Sequence, residues 1–218
     1  ERAERLSSVL GVLYLIFNEG YSATSGDTWT RPQLCDEAMR LGRVLARLAP
    51  EDSEVHALVA LMEIQASRIA ARTDAGGEPI LLLAQDRSRW DQLLIRRGLQ
   101  ALERAEELGG ANEPYALQAA IAACHARARR ADDTDWTRIA ALYAILAQVS
   151  PSPVIELNRA VAVSMAQGPA AALELIEAIG DEPALRNYHL LYGVRADLLS
   201  KLDRHAEAAQ QFRQAAEL

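Results

Sequence analysis

The sequence predicts an all-α fold made of stacked antiparallel helical hairpins. Apolar residues recur at helical spacing along almost all of the 218 residues. Half of the residues are hydrophobic and only 5% are aromatic, so alanine and leucine, which are strong helix formers, must make most of the core. No segment alternates convincingly between apolar and polar residues, apart from the short run Ile80–Leu83. A chain of this length can bury a sizeable core.

The spacing of the apolar residues predicts about ten helices. From Leu6 to Phe17 the apolar side chains fall on one helix face, and the same pattern runs from Leu34 to Leu48 and from Val55 to Ile69. Further helices are predicted at about 88–108, 114–129, 135–149, 153–167, 169–179, 184–201 and 205–217.

Residues typical of helix starts precede several of these segments. The dipeptide Ser152–Pro153 places a capping residue before a proline in the first turn, where the missing N–H has no cost. Ser88 and Asp91 fit a capping box, with Ser88 at the N-cap and Asp91 three residues later. Pro114 and Pro183 are also predicted at helix entries.

The predicted helices come in pairs. The last pair carries small and large side chains at positions typical of tetratricopeptide repeats, namely Tyr192, Ala196, Leu199, Ala208, Phe212 and Ala215. The pattern also occurs about 36 residues earlier, and its alanines allow two helices to approach closely. We therefore predict one repeat domain over residues 1–218, with hairpins at about 1–50, 51–110, 111–150, 151–182 and 183–218. The first two hairpins are irregular because of long inserts, Asn18–Thr30 and Thr73–Arg87.

The charge balance argues against several functions. The formal net charge of −7 disfavours nucleic acid binding by this chain, because such binding needs a basic face. The basic run Arg127–Arg130 is followed by Asp132, Asp133 and Asp135, which favours a solvated helix end over a phosphate site. The longest apolar run, Val9–Phe17, is about half of what a membrane span requires, so we expect no membrane association.

The residue types that carry catalysis or bind metals show no pattern typical of a site. Cys35 and Cys124 lie far apart in helical patterns and are expected to be buried thiols in a reducing cytoplasm. The histidines are scattered, and His125 beside Cys124 is expected to be a packed side chain and not a metal ligand. Glu19 and Asp91 could form an acid–base pair, but nothing in the sequence brings them together. We therefore expect no enzymatic activity, no metal and no cofactor.

The first polar segment follows an apolar helix in the stretch VLYLIFNEGYSATSG (Val12–Gly26). Gly20 is well placed to follow the helix end with a positive φ, with Asn18 near the last carbonyl groups. Glu19 and Tyr21 could then anchor the following loop on the next helix pair. In the alternative, Asn18, Glu19 and Tyr21 bind a ligand or a partner, and catalysis is a third reading.

The second polar segment, LLLAQDRSRWD, contains two arginines, two aspartates and a tryptophan. Pairing between an aspartate and an arginine, with the tryptophan buried at the hairpin interface, would pin this long loop. A cation–π contact is also possible. In the alternative, the segment forms half of a concave site that faces the first polar segment. The residues concerned are Asp86, Arg87, Arg89, Trp90 and Asp91.

Several segments, in this order along the chain, resemble one protein family. They are LYLIFNEGYSATSGD (13–27), LCDEAMRLGRVLARLAP (34–50), QDRSRWD (85–91), YALQAAIAACHA (115–126), DTDWTRIAALYAIL (133–146), SPVIELNRAVAV (152–163) and the closing residues 188–218. Together they are similar to the C-terminal extension of bacterial extracytoplasmic-function (ECF) type RNA polymerase sigma factors. Those proteins carry a tetratricopeptide-like domain after their two DNA- and polymerase-binding regions. The resemblance covers essentially the whole chain, and it is more specific than the repeat pattern alone.

The resemblance implies a regulatory, non-enzymatic domain of a longer cytoplasmic protein. Sigma regions two and four are absent from this chain, and it begins at Glu1 inside a helical pattern, so we expect it to be a piece of a sigma factor. Its partners would be the sigma regions of the parent protein and RNA polymerase, and only the missing regions would contact DNA. The candidate partner-binding or loop-anchoring residues are Asn18, Glu19, Tyr21, Asp86, Arg87, Arg89, Trp90 and Asp91.

Two other readings of the chain stay open. One is a free-standing repeat scaffold that binds a peptide or a protein. The other is a small-molecule sensor whose pocket is lined by the two inserts.

Overall fold

A computed structural model describes residues 2–22 and 31–218 of the chain. This part of the chain contains ten α-helices and no strand, which confirms the predicted all-α fold. The helices are α1 (Arg2–Tyr21), α2 (Pro32–Leu48), α3 (Ser53–Ala66), α4 (Gln92–Glu107), α5 (Pro114–Arg127), α6 (Trp136–Val149), α7 (Pro153–Gln167), α8 (Pro169–Ile179), α9 (His189–Lys201) and α10 (His205–Glu217).

The chain forms two compact units, which we call unit 1 (residues 1–134) and unit 2 (residues 135–218). In unit 1, α1 packs on α2, α2 on α3, and α3 on both α4 and α5. In unit 2, each helix from α6 to α10 packs on the next. Consecutive helices therefore form pairs within each unit. The predicted hairpin at 111–150 is divided, since α5 belongs to unit 1 and α6 to unit 2.

Helix α3 is the centre of unit 1. Ten of its 14 residues are buried, and it contacts α1, α2, α4 and α5. A helix that is apolar on all sides is stable only when neighbours cover all sides. Glu63 is the charged member of this buried set, with 2% of its surface exposed. Its carboxylate accepts a hydrogen bond from Nε of Arg43 at 2.6 Å, which compensates part of the cost of burying the charge.

Gly20 allows α1 and α2 to approach closely. We expected this glycine to follow the end of α1 with a positive φ, but the helix continues to Tyr21 and the φ of Gly20 is not positive. A Cβ atom at this position would lie 2.7 Å from the backbone nitrogen of Cys35 and 2.9 Å from the carbonyl oxygen of Arg31. The expectation was wrong because the glycine is needed for contact with the neighbouring helix and not for a turn.

The connection between α3 and α4 also differs from the prediction. Helix α4 begins at Gln92, and Asp91 is its N-cap, accepting from two backbone N–H groups of α4 at 2.8 and 3.0 Å. Ser88 lies in a separate 3-10 turn, so the predicted capping box does not form. The run Ile80–Leu83 is not a strand, and a 3-10 turn begins at Leu82. Local hydrogen bonding by aspartate side chains therefore sets the end of this long connection.

Unit 2 follows the predicted pattern closely. Helices α7, α8 and α10 have the predicted bounds. Gly168 alone links α7 to α8, with a φ of 100° that favours glycine. Helix α9 begins at His189 and not at 184, because Pro183 starts a separate 3-10 turn. Pro153 occupies the first turn of α7 as predicted, whereas Ser152 makes no capping hydrogen bond through its side chain.

Candidate functional site

Five side chains of unit 1 join the two polar segments. We call them the cation–aromatic cluster: Tyr21, Arg68, Arg72, Arg87 and Trp90. Tyr21 is the last residue of α1, Arg68 and Arg72 follow the end of α3, and Arg87 and Trp90 lie shortly before α4. The cluster therefore brings together residues from α1 and from both ends of the long α3–α4 connection.

Tyr21 is held by the two arginines that follow α3. Arg68 donates from Nη2 to the Tyr21 hydroxyl at 2.6 Å, and Arg72 donates to the Tyr21 backbone carbonyl. The guanidinium carbon of Arg72 lies 3.7 Å from the centre of the Tyr21 ring, and the ring also stacks on Phe17 at 5.6 Å. Because the face of an aromatic ring is electronegative, these contacts attract the cation. They bind the end of α1 to the chain that leaves α3.

Arg68 is the residue that connects the two polar segments. Its guanidinium carbon lies 5.9 Å from the centre of the Tyr21 ring and 5.7 Å from the centre of the Trp90 ring. It also donates to the side-chain amide oxygen of Gln65, which precedes it by three residues. A planar guanidinium can hydrogen-bond at its edge and contact aromatic faces at the same time. Tyr21 and Trp90 are therefore ordered around one cation.

Trp90 is the buried aromatic residue of the second polar segment. Its side chain is 3% exposed and packs with Ala71 and Ile95 in a small apolar core. The guanidinium carbon of Arg87 lies 5.0 Å from the centre of its ring. The expected burial of Trp90 and its cation–π contact are thus confirmed.

Arg87 fastens the second polar segment to the end of α5. Its Nη1 donates to the backbone carbonyls of His125 and Ala128 at 2.7 and 2.8 Å, and its Nη2 donates to the Thr134 hydroxyl at 3.1 Å. The last carbonyl groups of a helix have no partner within the helix, and they carry the negative end of its dipole. The partly buried guanidinium of Arg87 supplies hydrogen-bond donors to these carbonyl groups and a positive charge at the negative end of the dipole.

Positive charge is concentrated at this cluster although the chain is acidic. Among the described residues, no aspartate or glutamate lies within salt-bridge distance of Arg68, Arg72 or Arg87. Burial lowers the pKa of Arg72 and of Arg87, and the charge of Arg68 lowers both further. Burial also lowers the pKa of His125 to about 4, assisted by Arg68 and Arg87. His125 is therefore neutral at pH 7. It is also buried, as the sequence predicts for a packed side chain.

The remaining candidates of the first polar segment lie in the last turn of α1. Glu19 is within 3.0 Å of Arg31, an ion pair that ties α1 to the start of α2. The backbone carbonyl of Asn18 accepts from the N–H of Ser22 at 2.8 Å. Residues 23–30 of the predicted insert lie outside the residues that the structure describes.

The aspartates of the second polar segment act as caps. Asp86 accepts from the backbone N–H and the hydroxyl of Ser88 at 2.9 and 2.7 Å, and these bonds hold its pKa below the usual range. Asp91 caps α4. Across the described residues, neither aspartate is within salt-bridge distance of Arg87 or Arg89, so the predicted pairing was wrong. Backbone N–H groups and arginine side chains compete for the same carboxylate oxygens. Here the nearby backbone N–H groups occupy them.

Sequence reasoning missed Arg68 and Arg72. Arg68 is 47 residues from Tyr21 along the chain, and no motif links the two. One signal could have found them. Arg68 and Arg72 lie within six residues of the end of a strongly apolar helix, a place where the exposed carbonyl groups favour cations.

A second half-buried polar group lies at the start of α3. The Glu54 carboxylate accepts from the backbone N–H of Tyr115 at 3.1 Å, at the start of α5. Burial raises the pKa of Glu54 to about 7, and the neighbouring Glu113 and Asp52 contribute in the same direction. Ser53 donates to Glu113 at 2.5 Å. Glu54 is thus a carboxyl group that changes its charge near neutral pH.

In residues 2–22 and 31–218, no three His, Cys, Asp or Glu side chains converge as a metal site requires. Cys35 and Cys124 are buried and form no disulfide, and burial raises the pKa of Cys35 to about 11, which favours its protonated thiol form at neutral pH. Glu19 and Asp91, considered as an acid–base pair, contact different partners. None of the described helices combines the length and apolar character needed to cross a bilayer.

Comparison with known proteins places the chain beside relatives without an assigned activity. Residues 5–106 match a family described as "Family of unknown function (DUF6596)", a match that runs from α1 into α4. The chain is 47% identical over 212 residues to an uncharacterized protein of Rhizobium meliloti (strain 1021). That match covers 97% of this chain and 49% of the relative, so the chain spans about half the relative's length.

Proposed function

We propose that this chain is the regulatory interaction domain of an ECF-type sigma factor. In this role it modulates transcription initiation through contacts with the sigma regions or with RNA polymerase. The observation that carries the proposal is the junction at Arg68, which lies 5.9 Å from the Tyr21 ring and 5.7 Å from the Trp90 ring. Tyr21 and Trp90 belong to two of the segments that resemble the sigma factor extension. Because Arg68 contacts both aromatic rings, it fixes the positions of these two segments relative to each other.

The proposed mechanism is docking and release. The helical pairs hold the sigma regions in one state and exchange them for polymerase or a signal in the other. Such a switch requires a differential affinity of only a few kcal/mol between the two states. Tyrosine, tryptophan and arginine are the residue types that contribute most at protein interfaces. Asp86, Arg89 and Asp91 are exposed and border the cluster along the chain, and the two aspartates also cap local backbone N–H groups.

The proposal places the domain in the cytoplasm, where RNA polymerase works, and assigns DNA contacts to the sigma regions alone. It predicts that the half of the Rhizobium relative outside the match contains sigma regions two and four. The matched half would then be the regulatory extension. No enzymatic step is assigned to the chain.

Transcription from a reporter promoter tests this function. The Rhizobium relative is compared at full length and after removal of its matched half, with purified RNA polymerase and the promoter that the full-length protein uses. We expect a change in transcript yield on removal, in either direction, because the domain adjusts the availability of the sigma regions. Unchanged transcription, or an outer half without sigma regions, would overturn the proposal and leave the free-standing scaffold.

Single substitutions then locate the contact. In a chimera in which this chain replaces the matched half of the Rhizobium relative, Arg68→Gln should shift the transcript yield toward that of the truncated protein, because it separates Tyr21 from Trp90. Arg97→Gln is the matched control, since Arg97 is an exposed arginine of α4 outside the cluster. Circular dichroism must show that both variants keep their helices. Equal effects of the two substitutions would remove the cluster from the mechanism.

A further inference from the structure

Unit 1 contains a cavity in which positive side chains gather without negative ones. The cavity has a volume of about 340 Å³ and lies between the second polar segment and the end of α5. Arg87, Arg127 and Arg129 line it, and no aspartate or glutamate is among its lining residues. The chain as a whole has 30 acidic and 23 basic residues, so three arginines without an acid are a marked local excess.

We propose that this cavity, the arginine pocket, binds a small organic phosphate. The inference goes beyond the proposed function and does not depend on it. Planar guanidinium groups match the oxygens of phosphate and carboxylate groups through paired hydrogen bonds. A phosphate monoester carries about −1.5 to −2 charges at pH 7, and a single carboxylate carries only one. The larger negative charge of a phosphate therefore neutralises the positive charge of three arginines better than a carboxylate does.

Two of the three arginines are available to a ligand. Arg127 and Arg129 are exposed, and neither makes a hydrogen bond or an ion pair with the described residues. Arg87 is the positioning residue, because its bonds to the carbonyls of His125 and Ala128 fix the pocket wall. The sequence favoured a solvated helix end for the run Arg127–Arg130 because Asp132, Asp133 and Asp135 follow it, and Arg127 and Arg129 are indeed exposed at the end of α5. The position of Arg87 beside them is what the sequence did not indicate.

The acidic residues near the pocket already have partners. Asp133 accepts from Arg130 at 3.1 Å, Asp86 accepts from Ser88, and Asp91 caps α4. Asp133 also raises the pKa of Arg87, but this effect is smaller than that of burial, which lowers it. None of these carboxylates lines the pocket, and Asp133 offsets the charge of Arg87 only in part.

The walls of the pocket explain why an organic group should accompany the phosphate. Ile95 and Ala126 supply apolar surface, and Trp90 lines the cavity beside Arg87. The volume is in the lower part of the range for small-molecule sites, and it exceeds what a bare phosphate needs. The buried indole N–H of Trp90 has no acceptor among the described residues. A bound oxyanion would offer one once the Trp90 ring turned its N–H toward the cavity.

Titration of the full chain with three probes tests the proposal. The probes are phenyl phosphate, inorganic phosphate and benzoate, each up to about 10 mM and compared with sodium chloride at equal ionic strength. We expect phenyl phosphate to bind most tightly, to raise the melting temperature and to shift the NMR signal of the Trp90 indole N–H. No binding of either phosphate, or binding of benzoate as tight as that of phenyl phosphate, would overturn the proposal.

A double variant, Arg127→Gln with Arg129→Gln, identifies the site. Both side chains are exposed and without partners, so the fold should survive, and we expect phenyl phosphate affinity to fall about tenfold or more. The matched control is Arg96→Gln with Arg97→Gln, two exposed arginines of α4 that do not line the pocket. A similar loss in the control would show that only net charge matters and would exclude the pocket.

Discussion

Units 1 and 2 are built from the same kind of helical pair, but they differ in where polar groups lie. The buried polar or charged residues among those described are Glu63, Ser67, Gln85, His125 and Thr134, all in unit 1. Unit 2 joins α7 to α8 through one residue, whereas unit 1 joins α3 to α4 through residues 67–91. A long connection carries backbone and side-chain polar groups that must find partners. The arginines of the cation–aromatic cluster supply some of these partners in unit 1, including donors to Tyr21, the carbonyl of His125 and Thr134.

This difference indicates which forces stabilise each unit. Alanine-rich pairs with short turns need little beyond close packing, because the helices satisfy their own backbone groups. In unit 1, the position of the long connection depends on a few named contacts between distant residues. Substitutions at those contacts should therefore lower the free energy of unfolding more than similar substitutions in unit 2 do.

The largest effect is expected for the aromatic residue of the cluster. Trp90→Ala should lower the free energy of unfolding by about 3–5 kcal/mol, because it leaves a cavity in a packed site. Phe212→Ala in unit 2 is the comparison, since Phe212 is 50% exposed and should cost about 1 kcal/mol or less. Urea unfolding followed by circular dichroism measures both. Similar losses would mean that the two units do not differ in this respect.

The next effect concerns two glycines inside helices. A Cβ at Gly98 would lie 2.6 Å from Cγ1 of Ile64, so Gly98→Ala should destabilise the protein by about 1–3 kcal/mol. At Gly193 nothing lies within 4 Å, and Gly193→Ala should stabilise α9 by about 0.5–1 kcal/mol through better helix propensity. Thermal unfolding of the two variants should move in opposite directions. A gain for both would show that α3 and α4 can separate at little cost.

The helix caps give a smaller difference. Asp91→Ala removes two hydrogen bonds to the start of α4 and should cost about 1 kcal/mol. Ser152→Ala in unit 2 should be nearly neutral, because the Ser152 side chain makes no capping bond. Chemical denaturation of each variant provides the measurement. Equal costs would indicate that Ser152 caps α7 in solution.

The smallest effect is a pH dependence that originates in unit 1. The folded-state pKa of Glu54, about 7, lies above its usual value in an unfolded chain, so the folded state holds its proton more strongly. The resulting stability is complete below the unfolded pKa and is lost as the pH rises through about 7. Between pH 5 and 8, Glu54→Gln should therefore flatten the decrease of stability with pH. Solvent screening at this half-exposed site limits the effect.

The control for this experiment is Glu174→Gln, which changes an exposed glutamate of α8 in unit 2. It should leave the pH slope of stability as it is in the unchanged chain. Melting temperatures across the same pH range would record both variants. A slope that persists in Glu54→Gln would assign the dependence to another group.

The success of the sequence predictions also differs between the two units. In unit 2, the bounds of α7 and α8 were predicted from helical spacing and from Pro153, and the structure shows that Gly168 and Pro169 also act locally at the junction of the two helices. In unit 1, Gly20 and Ser88 were assigned to local roles that they do not have. Of the candidate site, Tyr21, Arg87 and Trp90 were named in advance, whereas Arg68 and Arg72 were not. Their proposed role in binding a partner stays a prediction.

The sequence by itself determined the helices, because helical periodicity, caps and prolines act within about four residues of the chain. It also showed the two polar segments that suggested a site. Only the tertiary structure decided which of them meet. Arg68 and Tyr21 are 47 residues apart, and Arg87 and the carbonyl of His125 are 38 apart. Contacts over such separations depend on how the ends of α1, α3 and α5 pack, and local spacing carries no record of that packing.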